Sequence, residues 1–231
     1  MKSPSPDEIT RRQLLRTGLA ATAAIAAGGF DLALPQRALA QSKLTPDAAL
    51  TELMEGNKRF TSGQMTSREH DLAILKQHTE EKQEPFAAVL SCADSRVPVE
   101  LVFDQSIGHI FVTRVAGNVI TPEIIGSLEY GAAVLGTKVI MVMGHSNCGA
   151  VKATIQGKDV PGQISSLFPH IQPGVNQAGP DLAAATKANA RIQATLLQES
   201  STVISGLVKS GGVKVVASYY DLGTGSVTLV E

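Results

Sequence analysis

Phe86-Ala87-Ala88-Val89-Leu90-Ser91-Cys92-Ala93-Asp94-Ser95-Arg96 decides the fold. It opens after Pro85 as a short, nearly unbroken apolar run and turns polar at Cys92. A run of this length bounded by a breaker is what a strand buried on both faces requires. Working outward, the same kind of run recurs at residues 110–115, 139–144 and 213–219, and helical patterns lie between. Pro122 opens a helix through Leu135, with Ile124, Ile125, Leu128, Ala132 and Leu135 on its inner face. A short helix over 98–103, a helix from Gly149 and a helix over 182–209 broken near Ser200-Ser201 complete the alternation. Residues 157–180, rich in Gly, Pro and Gln, read as a long loop with at most a short helix. The prediction is an α/β fold: a mostly parallel central sheet of about four strands flanked by helices, with an antiparallel edge strand over 226–230 after the turn at Asp221-Leu222-Gly223-Thr224-Gly225.

Ahead of the sheet lies a helical arm. Thr45-Pro46-Asp47 is a helix start, Ala49, Leu50, Leu53 and Met54 recur at helical spacing, and Gly63 ends the helix. A more polar helix is predicted over 67–83. The division is therefore an export signal at 1–40, the arm at 41–84, and an α/β domain at 85–231 that carries the chemistry.

The export reading rests on order. Arg11-Arg12-Gln13-Leu14-Leu15-Arg16 is basic, residues 17–30 are mostly Ala and Gly, and Ala38-Leu39-Ala40 offers small residues for cleavage. Basic, apolar, small is the layout of a secretory signal, and the paired arginines resemble a twin-arginine signal. The apolar run is shorter than the roughly 18–20 residues that span a bilayer. The expectation is a periplasmic or secreted protein with no stable membrane association after cleavage.

Composition narrows the function. The chain has 231 residues, 43% hydrophobic, with a net charge of −1, enough for a buried core. Residues 41–231 hold 15 basic and 18 acidic side chains, and only 4% of the whole chain is aromatic. Both facts argue against nucleic acid as a partner. Two cysteines cannot build a disulfide framework.

The chemistry concentrates in two short segments. Ser91-Cys92-Ala93-Asp94-Ser95-Arg96 follows the first strand, and Gly144-His145-Ser146-Asn147-Cys148-Gly149 follows the third. Carboxyl ends of parallel strands are where open α/β sheets bind ligands. Cys92, His145 and Cys148 offer two sulfurs and a nitrogen, which suit Zn²⁺, and Asp94 can add a fourth ligand. Spacing alone leaves other outcomes open. The cysteines are also compatible with a disulfide or with two core thiols, and Asp94 with Arg96 is compatible with an ordinary surface ion pair.

At these segments the chain resembles the β-class carbonic anhydrases, whose signature pair is similar to Cys92-x-Asp94-x-Arg96 and His145-x-x-Cys148. Leu53-x-x-Gly56-Asn57-x-Arg59-Phe60, Val112-x-Arg114-x-Ala116-Gly117-Asn118, Ser127-Leu128-Glu129-Tyr130 and Tyr220-Asp221-Leu222-x-Thr224-Gly225 resemble further family segments in order. Val115 stands where the family often has Asn.

The resemblance implies Zn²⁺ on Cys92, His145 and Cys148 and a zinc-bound hydroxide that converts CO2 to bicarbonate and a proton, reversibly. It makes Asp94 an exchangeable ligand, gated by its ion pair with Arg96. Two thiolates neutralise the metal charge, so the water should be less acidic than at a three-His site and needs help from surrounding groups. Gln105 is implied as a donor to substrate oxygen, with the Gly149 N–H as a second donor. No proton shuttle is assigned among His70, His78, His109 and His170. The arm is implied to pack across a partner, giving a homodimer or homotetramer. Rival readings are CS2 or COS hydrolysis on the same fold, a zinc or redox protein without catalysis, and a bicarbonate-binding sensor.

Overall fold

The computed structural model describes residues 42–66 and 83–231. The export segment, the helix expected over 67–83, His70 and His78 lie outside the described residues. No helix among the described residues is long and apolar enough to cross a membrane.

Five strands form one sheet: β1 (Ala87–Ser91), β2 (Ile110–Arg114), β3 (Val139–His145), β4 (Lys214–Tyr220) and β5 (Val227–Val230). Their order is β2-β1-β3-β4-β5. The first four run parallel and β5 pairs antiparallel to β4, as the sequence pattern predicts. Every residue of β1 and β3 is buried, which explains why these strands read as continuous apolar runs.

Alternation along β1 and β3 divides the core in two. Ala87, Val89, Met141 and Met143 face a layer built by Ala49 and Leu53 of helix α1 (Pro46–Thr61) and by Val99 and Val102 of helix α2 (Val99–Val102). Ala88, Leu90, Ile140 and Val142 face Leu128 of α3 (Pro122–Glu129) and Ala190, Ala194 and Leu197 of α6 (Leu182–Ser200). Ile204 of α7 (Thr202–Lys209) joins that second layer. Helix α1 starts where expected, with the Thr45 hydroxyl accepting from the Ala48 N–H at 3.2 Å. It also ties to the end of the sheet, because Asn57 donates to the carbonyls of Val102 and Gly225 and accepts from the Val227 N–H at 2.8 Å. The described half of the arm thus shares a core with the sheet of its own chain.

Two elements depart from expectation. The helix from Pro122 ends at Glu129 and continues as a wider π-type turn, Tyr130–Val134. Residues 157–180 hold a 3₁₀ segment (Gly162–Leu167) and an 11-residue helix α5 (Phe168–Ala178) that contains Pro173. Helix α4 (Gly149–Gln156) precedes them. Strand order matters most for the site. The chain leaves β1 to one side for β2 and returns on the other side as β3, which opens a crevice at the carboxyl ends of β1 and β3.

Candidate metal centre

Cys92 is the first residue past β1, His145 the last of β3, and Cys148 caps the start of α4. Asn147 takes a left-handed conformation at φ 53°, which turns the chain tightly enough to aim both His145 and Cys148 into the crevice. The loop is pinned by the Ser146 N–H donating to the Tyr220 carbonyl at 2.9 Å and by the Ser146 hydroxyl accepting from the Leu222 N–H at 2.8 Å.

The structure brings the three expected ligands together. The Cys92 and Cys148 sulfurs and a His145 nitrogen lie within 4.8 Å of one another, and both cysteines are free thiols. Cys92 is 4% exposed, His145 and Cys148 0%. Val119, Val151, Ile171 and Ala185 close around the sulfurs. A disulfide, open on spacing alone, is not what the fold forms.

His145 supplies the test of whether a metal fits. Its Nδ1 lies 2.9 Å from the Ser146 carbonyl, which can only accept, so Nδ1 carries the hydrogen. Nε2 is then a bare lone pair, and it is fully buried with no hydrogen-bond partner. A buried acceptor without a donor is costly. Beside two sulfurs, a soft cation satisfies it, and a nitrogen with two sulfurs is a donor set that Zn²⁺ favours.

The sulfurs differ in their surroundings. As a pair of thiols they share a proton. The hydrogen bond from Cys148 lowers Cys92 below the usual thiol range, and the Gly117 N–H, which donates to Cys92 Sγ at 3.3 Å, acts in the same direction. Cys148 is pushed up by that same contact with Cys92, and burial adds to the shift. The N–H groups of Val151 and Ala150 at the start of α4 pull the other way.

Asp94 stands beside the cluster and is engaged by Arg96. The guanidinium grips both carboxylate oxygens, Nε to Oδ1 at 2.9 Å and Nη2 to Oδ2 at 2.7 Å, and the Arg96 N–H adds a third bond to Oδ1 at 2.9 Å. These bonds hold Asp94 well below the usual carboxylate range. Its Oδ2 is 3.9 Å from His145 Nε2, beyond hydrogen-bond reach.

The remaining expected residues are placed less directly. Gln105, 6% exposed, donates through Nε2 to Glu52 at 3.1 Å and pairs through Oε1 with His109 Nδ1 at 3.2 Å. Its hydrogen bonds go to neither the sulfurs, nor His145, nor Asp94. Gly149 is the first residue of α4 and is exposed, and a Cβ there would meet nothing within 4 Å. Arg114 had no role assigned from the sequence. From the end of β2 it donates to the Cys92 carbonyl at 3.0 Å and the Asp94 carbonyl at 2.5 Å, clamping the loop that carries both. Its signal was available: a lone cation closing an apolar strand beside two polar strand tips.

Comparison with known proteins agrees with this geometry. The carbonic anhydrase family model matches residues 87–227. A carbonic anhydrase of Mycolicibacterium smegmatis is 36% identical over 195 residues, 80% of this chain and 93% of the relative. The carbonic anhydrase 2 of Mycobacterium tuberculosis is 32% identical over 196 residues, 80% of this chain and 92% of the relative. A β-carbonic anhydrase of Aspergillus fumigatus shares the fold at a TM-score of 0.64 and 21% identity, covering 80% of this chain and 90% of that one. Structures described as two tetrameric β-carbonic anhydrases of Sordaria macrospora match at 0.63 and 17%, covering 94% and 96%. With the Cys-His-Cys cluster at the switch point and relatives of this likeness along most of its length, the chain belongs to the β-class carbonic anhydrase family, enzymes that hydrate CO2.

Proposed function

We propose that this chain performs CO2 + H2O ⇌ HCO3⁻ + H⁺ with Zn²⁺ held by Cys92, His145 and Cys148, and that Asp94 with Arg96 gates and orients the reaction. The observation that carries the reading is the buried, unpartnered His145 Nε2 beside two free thiols. A bound Zn²⁺ supplies Lewis acidity that makes water nucleophilic near neutral pH, carbonic anhydrase being the standard example.

The chain's own residues do the rest. The Ser146 carbonyl fixes the His145 tautomer that leaves Nε2 free to bind. The Gly117 N–H offsets part of the charge on Cys92. Arg96 holds Asp94 off the donor set, which would leave room for water to exchange beside an ion held by Cys92, His145 and Cys148. From there Asp94 accepts a hydrogen bond from the reacting water and orients its lone pair toward CO2. Gln105 and Gly149 are proposed as donors to substrate oxygen. A side-chain amide carries two N–H hydrogens and Glu52 takes one, while the Gly149 N–H lies in the first helical turn, where backbone donors lack intrahelical partners.

Two wider readings accompany this. The basic, apolar and small-residue order of residues 1–40 supports a twin-arginine export signal and a periplasmic or secreted location. A homodimer or homotetramer is supported by the tetramers described for the Sordaria relatives and by the exposed apolar side chains of Ile107, Tyr130 and Val134; sedimentation equilibrium reads it directly.

Metal analysis combined with CO2 hydration tests the core proposal. Cys148→Ser is expected to lose most of its zinc. Asp94→Asn is expected to keep zinc and lose about 10²-fold or more in turnover. Parental turnover in a zinc-loaded Asp94→Asn protein would refute the gate, and COS turnover exceeding that of CO2 would reassign the substrate.

A further inference from the structure

A chain of buried polar contacts runs from helix α6 to the Cys92 sulfur. Asn189, 0% exposed, donates from Nδ2 to the Gly117 carbonyl at 2.9 Å. Its Oδ1 accepts from Gln193 Nε2 at 3.2 Å. Gln193, 1% exposed, also donates to the His170 carbonyl at 2.8 Å, and its Oε1 accepts from the Ile120 N–H at 2.7 Å. Two adjacent turns of α6 thus grip the backbone on both sides of residues 118 and 119.

What they grip is the turn that touches the metal centre. Gly117 sits at φ 76° and ψ 11°, and its N–H donates to Cys92 Sγ at 3.3 Å. The peptides before and after a residue are joined through a single Cα, so holding the Gly117 carbonyl restrains the direction of its N–H. A glycine at positive φ is free enough to rotate that N–H off the sulfur unless something else restrains it. The Asn118 N–H donating to the Val115 carbonyl at 2.9 Å is a second restraint, within the turn itself.

We infer that Asn189, braced by Gln193, is a positioning residue for the metal centre: through the Gly117 peptide it aims an N–H at the Cys92 thiolate and tunes that sulfur as a ligand. The inference rests on the zinc reading above. A hydrogen bond to a metal-held thiolate lowers the energy of its lone pairs and limits the sulfur's motion. Partners of this kind, one contact removed from the metal, are commonly worth 10–100-fold in affinity.

The test uses the full chain with its native metal exchanged for Co²⁺, plus chelator competition for Zn²⁺. Asn189→Asp keeps the side-chain shape and replaces the donor with an acceptor; Asn189→Ser is too short to reach Gly117 and serves if the first does not fold. Either is expected to shift the thiolate-to-cobalt charge-transfer band to longer wavelength and to weaken zinc binding measurably, by up to about 10-fold, the low end for a group bonded directly to a ligand, because Asn189 acts one contact further out. Asn189→His, which can return an N–H donor, is expected to move the band back toward the parent. Leu197→Ala unsettles the same helix from the hydrophobic layer. It should lower the melting temperature and leave the band in place, separating positioning from general stability. Folded Asn189→Asp or Asn189→Ser protein with the parental band and zinc affinity overturns the inference, whereas a parent that takes up neither Co²⁺ nor Zn²⁺ overturns the zinc reading beneath it.

Discussion

Asp94 and Arg96 stand two residues apart in a strand-tip loop, and their pairing sets the electrostatics of the open side of the centre. Hydrogen bonds from the guanidinium and the Arg96 N–H lower the Asp94 carboxyl below its ordinary value. A lowered carboxylate keeps its ion pair above the ordinary range and loses it only as pH falls through the lowered value. Acidification from about pH 7 to 5 therefore leaves Asp94 ionised. Arg96→Gln is expected to return the Asp94 titration toward the ordinary carboxylate range, measured by carboxyl carbon NMR; an unmoved titration would mean that Arg96 does not control this group. At this scale the sequence was readable where the chemistry is local. Cys92, Asp94, Arg96, His145 and Cys148 sit in two short segments at strand tips, so the cluster was readable as a candidate site, while the role of each residue came from the family resemblance. Asn189 and Gln193 were invisible because each looks like any polar residue on a helix. Asn189 acquires meaning only when the fold sets it against a turn 72 positions away.

Helix α1 is held by its apolar face in the core and by buried polar ties, of which Asn57 carries the most. Asn57 is 4% exposed and makes three hydrogen bonds to backbone groups of the α2 end and the β4–β5 connection. Asn57→Ala strips partners from groups that are largely shut off from water, each worth about 1–3 kcal/mol when left unsatisfied. The expected loss is about 3 kcal/mol or more, three groups at the low end of that range, read as a lower urea midpoint at unchanged slope. A loss below about 0.5 kcal/mol would place the docking of α1 in its apolar face alone. Element boundaries were legible where capping and periodicity agree, as at Thr45-Pro46 and at Ser201, whose hydroxyl accepts from the Ile204 N–H. Helix α5 was not. Pro169, Pro173 and Gly174 read as loop punctuation, yet Pro173 lies within the helix and Gly174 lets α6 approach closely. A Cβ on Gly174 would lie 2.8 Å from the Asn189 backbone nitrogen, so the glycine answers to packing rather than to a turn. The π-type turn at Tyr130–Val134 has no local signature either.

Across the whole molecule, the alternation of apolar runs with helical patterns was enough to predict a parallel sheet with a reactive carboxyl edge. The unequal polarity of the strands was readable, β3 being apolar throughout and β2 half-buried with Arg114 at its end, but the side of β1 on which each one pairs was not, because long-range packing decides it. Addressing is also a property of the whole chain. If residues 1–40 direct export, replacing Arg11 and Arg12 together with lysine should hold the protein in the cytoplasm, scored by cell fractionation. Unchanged export would exclude the twin-arginine route. The crevice between β1 and β3 carries one more consequence. Its metal-binding side chains arrive from separate connections, one after each strand, so a single captured ion fastens together stretches of backbone that the unfolded chain would let drift apart. Occupancy and folding are then linked by mass action: an ion bound by the folded form alone adds about 2.7 kcal/mol when its free concentration is a hundred times its dissociation constant. The ion would serve as a clamp on the architecture as well as a participant in the chemistry, and scarcity of the metal would register as fragility of the protein.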